Sequence, residues 1–221
     1  LDRDLSKIHP LDLNDPEQIQ EYVSRSWYTY DAGNDTGLHP YEGETQLNYT
    51  GPKTPFKHLD VDNEYSWLKS PRWRGKPMEV GPLARVLMLY ASGHEPTKEL
   101  ATMALTQLDL PLTAMFSTMG RTAARTLESK IIADSMMTWY DNLMANLKAG
   151  DQKTFNEDLW NPSTWPQQAK GVGYMEAPRG ALLHYSVIED TKLANYQAVV
   201  PSTWNAGPRD AEGQPGPYEA A

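Results

Sequence analysis

The sequence predicts a mainly α protein, a bundle of long helices carrying a small antiparallel β-hairpin. Three observations predict it. The stretch from Thr118 to Ala149 has no proline, and Ile132, Met136, Trp139, Tyr140, Leu143 and Leu147 recur at helical spacing. Two further helical patterns precede it, "EVGPLARVLMLYASG" and "EPTKELATMALTQLD". Near the end, "ALLHYSVIED" and "LANYQAVV" are apolar, β-branched-containing runs separated by Thr191-Lys192, which reads as a hairpin.

Taken in order, the first element is a helix signal. Asp15 can cap, Pro16 suits a first helical position, and Gln18 sits where a capping box closes. Ile19, Tyr22 and Val23 would form its apolar face. From 31 to 80 periodicity dissolves into Gly, Pro, Asn and Asp with scattered aromatics ("DAGNDTGLHPYEGETQLNYTGPKTPFKHLD"). A stretch that long either follows the surface in an ordered excursion or serves a site or partner. Pro96 marks the first turn of the second helical pattern. The long helix would run roughly 45 Å at about 1.5 Å per residue, ended by Gly150. Its Met-rich stripe is expected in the core, and Arg121 and Arg125 on a solvated face. A Trp/Pro-rich connector, "LWNPSTWPQQAKG", leads to the hairpin.

Composition bounds the function. The 221 residues carry 29 acidic and 20 basic side chains, a net charge of −9, which argues against a nucleic-acid surface. No run of about 18 apolar residues is present, and "LDRDLSKIHP" has neither the basic flank nor the apolar stretch of a signal peptide. Both ends read as cuts within a longer chain. Seven Trp and twelve Tyr fit a well-packed or interface-rich protein. Cysteine is absent, which removes disulfides, thiolate catalysis and Cys-based metal ligation from this stretch.

The candidate site lies where the hairpin opens. Arg179 stands between Pro178 and Gly180 just before the first strand, and Pro201, Ser202 and Thr203 follow the second, so the two turns are expected to be neighbours. Two prolines supply rigid apolar walls. Arg179 supplies a permanently charged fork of donors, and Ser202 and Thr203 add hydroxyls and backbone N–H groups. Such a pocket has donors and almost no acceptors, which suits an anionic or acceptor-rich ligand. The alternative is structural: an arginine paired with a buried carboxylate, and two hydroxyls capping a turn. His9, His39, His58 and His94 show no ligand spacing; His184 is a lone strand histidine, and no phosphate loop, HExxH or G-x-S-x-G is present.

"GYMEAPRGALLHY", "NYQAVVPSTWNAGPRD" and "GPYEAA" resemble, in order and spacing, the C-terminal half of the large subunit of nickel–iron hydrogenases. "EGETQLNYTGPKTPF", "SWLKSPRWRGKPMEVGPLARV" and "MGRTAARTLESK" are similar to the same subunit, so the likeness covers nearly everything from about residue 40. The flavour is closest to the membrane-bound uptake type. The resemblance implies one segment, 1–221, of a single larger domain of that fold. It implies a nickel and an iron bridged by cysteine thiolates, the iron carrying carbon monoxide and two cyanides.

On that resemblance Arg179 would lie beside one cyanide, above the open bridging position where hydrogen binds, with Pro178 on the same wall. Ser202, after Pro201, would donate to the other cyanide, helped by backbone N–H groups around Thr203. Ala198 would lend its backbone carbonyl to a magnesium ion. The implied partners are a small subunit with iron–sulfur clusters and a membrane cytochrome b, and the implied place is the periplasmic side of a membrane. The family's two Cys-x-x-Cys pairs are missing here, so this stretch alone is expected to bind no such centre and to turn over no hydrogen. The competing class is the related metal-free quinone-module subunit of respiratory complex I, acting as a scaffold; a helical domain that merely binds a partner is the blander third.

Overall fold

The computed structural model describes residues 3–53, 62–158 and 160–221. The chain divides into two compact units, Leu1–His9 with Pro82–Pro166, and Pro10–Gly81 with Gln167–Ala221.

The first unit is helical. Helix α1 (Pro82–Ala91) begins on proline and buries Leu83, Val86 and Leu87, the i, i+3, i+4 set of one face. Helix α2 (Glu95–Gln107) has Pro96 in its first turn, as expected. Helix α3 (Thr118–Lys148) is capped by the Ser117 hydroxyl, which accepts from Gly120 N at 3.0 Å, and Gly150 follows it at φ +86°. Gly120 is required by close approach, since a Cβ there would stand 2.1 Å from the Met115 carbonyl oxygen. Leu83, Val86, Leu87, Met115 and Ala124 form the core, with Leu5, Leu105 and Phe116 packed around it. Arg85 grips Glu128 with two nitrogens.

One expectation fails here. Ile132, Met136, Trp139, Tyr140, Leu143 and Leu147 are not core: Met136 is 60% exposed and Trp139 55%. Helix α3 meets α1, α2 and the 3-10 turn Leu112–Met115, and among the described residues the stripe lies on the part of its surface that these leave open. No helix among the described residues is long and apolar enough to cross a membrane.

The second unit is built from strands. β1 (Ile19–Tyr22) pairs antiparallel with β4 (Ser70–Trp73), and β2 (Tyr28–Thr29) with β3 (Gln46–Leu47). β5 (Gln168–Ala177), β6 (Gly180–Glu189) and β7 (Lys192–Val199) form an antiparallel meander. Along β6, Leu183, Tyr185 and Val187 are buried with the period of two expected of a half-covered strand. They join Ile19, Val199 and Trp204 in the core.

The mainly α expectation is therefore corrected: helix accounts for 34% of residues and strand for 21%. The helix expected after Asp15 is a turn and a strand. Asp15 Oδ1 accepts from Glu17 N at 2.9 Å, as a cap would, but burial alternates through Ile19, Glu21 and Val23. The hairpin is present one residue earlier than expected, with Asp190 (φ +51°) and Thr191 (φ +62°) between paired Glu189 and Lys192. Positive φ at both loop positions matches strand twist. β5 adds a third strand. Among its described residues the stretch 31–80 is largely irregular apart from β3 and β4; residues 54–61, including His58, lie outside the described set.

Two buried ion pairs cross this unit. Lys69 bonds to Glu21 and, at 2.9 Å, to Gln197 Oε1. Arg72 meets Asp210.

Candidate functional site: a donor wall at one end of the meander

Ala177 pairs with Gly180, so Pro178 and Arg179 are the two-residue loop joining β5 to β6. β7 ends at Val199 opposite Leu183, and the chain passes at once into α4 (Pro201–Ala206). Both turns thus lie at the same end of the sheet. Pro201 takes the first helical position, where its missing N–H costs nothing. The Val200 carbonyl accepts from Thr203 N at 2.9 Å, so that amide serves the helix rather than a ligand. Ser202 is half-buried, and Pro201 and Thr203 are buried.

A third segment joins the two turns. Asn205 accepts from Val80 N at 3.0 Å and donates to Val80 O at 2.9 Å. The next residue, Gly81 (φ +122°), crosses the Arg179–Gly180 loop so closely that a Cβ on it would stand 2.9 Å from the Arg179 carbonyl oxygen. Residues 80–81 and Asn205 were given no role by the sequence. Asn205 stood inside a quoted motif, but its burial and its partner 125 residues upstream left no local trace.

Arg179 is exposed, and among the described residues no carboxylate meets its guanidinium. The structural alternative of a buried arginine–carboxylate pair is not what the fold holds. The Ser202 hydroxyl likewise has no hydrogen-bond partner among these residues, and Trp204, two residues on and packed in the core, leaves its Nε1 an orphaned donor. The wall is one of donors with unspent capacity, bounded by Pro178 and Pro201.

At the same end of β7, Ala198 pairs with His184, whose Nδ1 is held by the Tyr196 hydroxyl. Gln197, one residue earlier, leads through Lys69 to Glu21. Glu21 is fully buried, and burial raises its pKa despite the pull of Lys69 in the other direction. Its Oε1 has no partner. The oxygens of Glu21 and Gln197, with the Ala198 carbonyl, are the hard donors that magnesium prefers. No cluster of three His, Cys, Asp or Glu stands among the described residues, so these oxygens do not complete a metal site. A nickel–iron centre finds no thiolate here; the residues fit its flank, not its ligand set.

Pro–Arg and Pro–Ser turns at one end of a sheet thus present donors that have no partner, and no metal-ligating cluster, among the described residues. The chain belongs to the nickel-dependent hydrogenase family, whose model matches residues 1–221. It is 50% identical, over 98% of its length, to the uptake hydrogenase large subunit of Bradyrhizobium diazoefficiens, and 45% identical over 99% to the hydrogenase-1 large chain of Escherichia coli. It spans about 37% of the length of each. The reduced, active Ni-Fe-Se hydrogenase of Desulfomicrobium baculatum superposes at a TM-score of 0.68, with 33% identity over 96% of this chain and 39% of that one. The reduced Ni-Fe-Se hydrogenase of D. vulgaris Hildenborough gives 0.69, with 32% identity over 96% and 40%. The fold is that of the hydrogenase large subunit.

Proposed function

We propose that this chain is part of the catalytic subunit of a nickel–iron hydrogenase that oxidises dihydrogen heterolytically and passes electrons to an iron–sulfur small subunit. The observation that carries this is the unpaired Arg179 guanidinium, held beside the Pro201–Ser202 turn in a chain of this family. When bound, a nickel–iron centre with carbon monoxide and cyanide ligands supplies the place where dihydrogen is split. Everything else asked of this chain is done by its own side chains.

Arg179 would direct its planar fork at that group and balance its negative charge with a permanently charged guanidinium. Pro178 and Pro201 exclude water with surfaces that neither donate nor move. Ser202 donates its hydroxyl to a cyanide, with Thr203 seating the turn beneath it. The Ala198 carbonyl would be one oxygen donor to a magnesium ion whose other ligands the described residues do not supply. The small subunit is the proposed cover for the exposed aromatic surface of Tyr49 and Trp67, which stack on each other at 5.4 Å and meet Trp27 edge-on at 4.9 and 5.0 Å. A membrane cytochrome b is the proposed electron acceptor, and the periplasmic side of the membrane the proposed location.

The test uses the full-length protein matured with its small subunit. Nickel and iron content, infrared bands of metal-bound carbon monoxide and cyanide, and hydrogen-dependent dye reduction are measured together. Matured protein without those bands overturns the proposal in favour of the metal-free scaffold.

A further inference from the structure

We infer that Asn205 is a positioning residue that sets where Arg179 stands relative to the Pro201–Ser202 turn; this rests on the function proposed above. Asn205 is buried to 6% exposure, and its amide does for Val80 what a neighbouring strand would do, closing both main-chain bonds. The residues around Val80 belong to no strand, so besides the packing of its side chain on the core, these two bonds are what fix its main chain.

What Asn205 fixes is passed on without slack. Gly180 (φ +135°) could not carry a side chain: its Cβ would stand 2.5 Å from Val80 Cγ2 and 2.8 Å from Gly81 N. Gly81 is equally confined against the Arg179 carbonyl oxygen. Real Cβ contacts do not come so near, so the two backbones cross in direct contact. A shift of Val80 is therefore a shift of the Arg179–Gly180 loop. Asn205 itself rides on α4, one turn after Pro201 and Ser202. The chain of contacts runs from the Ser202 turn through Asn205, Val80 and Gly81 to Arg179. Two halves of the wall from distant parts of the sequence are thereby held at one separation. Placement of this kind is worth much to a reacting site, since a displacement of about 1 Å can cost roughly 10²-fold in rate.

The test again uses full-length protein with its small subunit. Asn205→Leu removes both bonds to Val80 at similar volume. Asn205→Asp keeps the acceptor for Val80 N–H and loses the donor. Gly81→Ala leaves Asn205 intact and presses on the crossing from the other side. We expect Asn205→Leu, at normal nickel content, to exchange its Val80 amide faster, to shift the cyanide infrared bands, and to lose roughly 10²-fold in turnover per nickel. Gly81→Ala should shift the same bands, and Asn205→Asp should fall between. Faster exchange at Val80 with unchanged bands and turnover overturns the inference and leaves Asn205 purely structural. If Asn205→Leu does not assemble, unchanged bands in both Asn205→Asp and Gly81→Ala overturn it. Arg179→Lys is the control. Bands that move there but not in the Asn205 and Gly81 variants sink only the positioning role, whereas bands unmoved in every variant sink the wall itself.

Discussion

Arg72 Nε and Asp210 Oδ2 meet at 2.5 Å, 138 residues apart in sequence, with neither side chain more than 3% exposed. Arg72 also donates to the Pro71 and Gln214 carbonyls, and Asp210 Oδ1 accepts from Glu212 N and Gln214 N. The pair staples β4 to the segment after α4. Asp210→Ala is expected to cost about 3–5 kcal/mol, because it leaves a buried guanidinium without its counter-charge. Removing both partners, as Arg72→Met with Asp210→Ala, should cost less than the two single changes added together. Chemical unfolding of the four proteins measures this, and additive losses would mean the pair is not coupled.

His39 carries a pH dependence. Its buried ring donates from Nε2 to the Leu13 carbonyl at 3.0 Å and accepts at Nδ1 from Tyr41 N at 3.3 Å, an arrangement only the neutral ring can make. Burial lowers its pKa below the ordinary 6.5, against the opposing pull of the Leu13 bond. The unfolded chain therefore takes up this proton first. The stability His39 contributes is whole above pH 6.5 and is lost as the pH falls from there towards the depressed value. His39→Gln keeps a donor and an acceptor without the titration. Its melting temperature should fall less than the parent's between pH 7 and 5; parallel curves would exclude His39 as the source.

Arg179→Lys keeps the charge but loses the planar fork. No ion pair is broken among the described residues, so the melting temperature should hardly move. Turnover normalised to nickel should fall roughly 10²-fold if the placement of that fork matters to the reacting group. Activity within a few-fold of the parent would return Arg179 to a surface role. Ser202→Ala removes one neutral hydrogen bond, worth roughly 0.5–1.5 kcal/mol. It should move the cyanide bands with metal content intact, and bands that stay in place would leave the serine as a turn residue.

The stripe of Ile132, Met136, Trp139, Leu143 and Leu147 along α3 is apolar and open. Exposed patches of this kind drive association. Residues 1–221 produced alone should self-associate, and Trp139→Glu with Leu143→Lys should shift sedimentation towards monomer. No change would mean that another surface holds the copies together.

Sequence made the helices of the first unit plain, because Pro96 marks a first turn and leucine and valine recur on one face. It misled at Asp15, where a cap and a turn use the same side-chain bond; the deciding fact, a buried Glu21 met by Lys69, lies 48 residues away. β5 was hidden by Gly171, Gly173 and a mostly exposed face, which leave no alternation to read. The stripe on α3 showed its period but not its exposure, since spacing reports a face and not what lies against it. At the site, proline and glycine announced both turns. Asn205 announced nothing, because its work is done on the main chain of a residue far upstream.

That distance has a consequence in time. Val80 leaves the ribosome 125 residues before the amide that holds it. At about 5–20 residues per second, that is roughly 6–25 s of synthesis during which the Val80 main chain waits for the bonds that fix it. Contacts of such long range are also slow to close. The wall is thus among the last parts of its unit to be finished, closing only after elongation has passed Asn205.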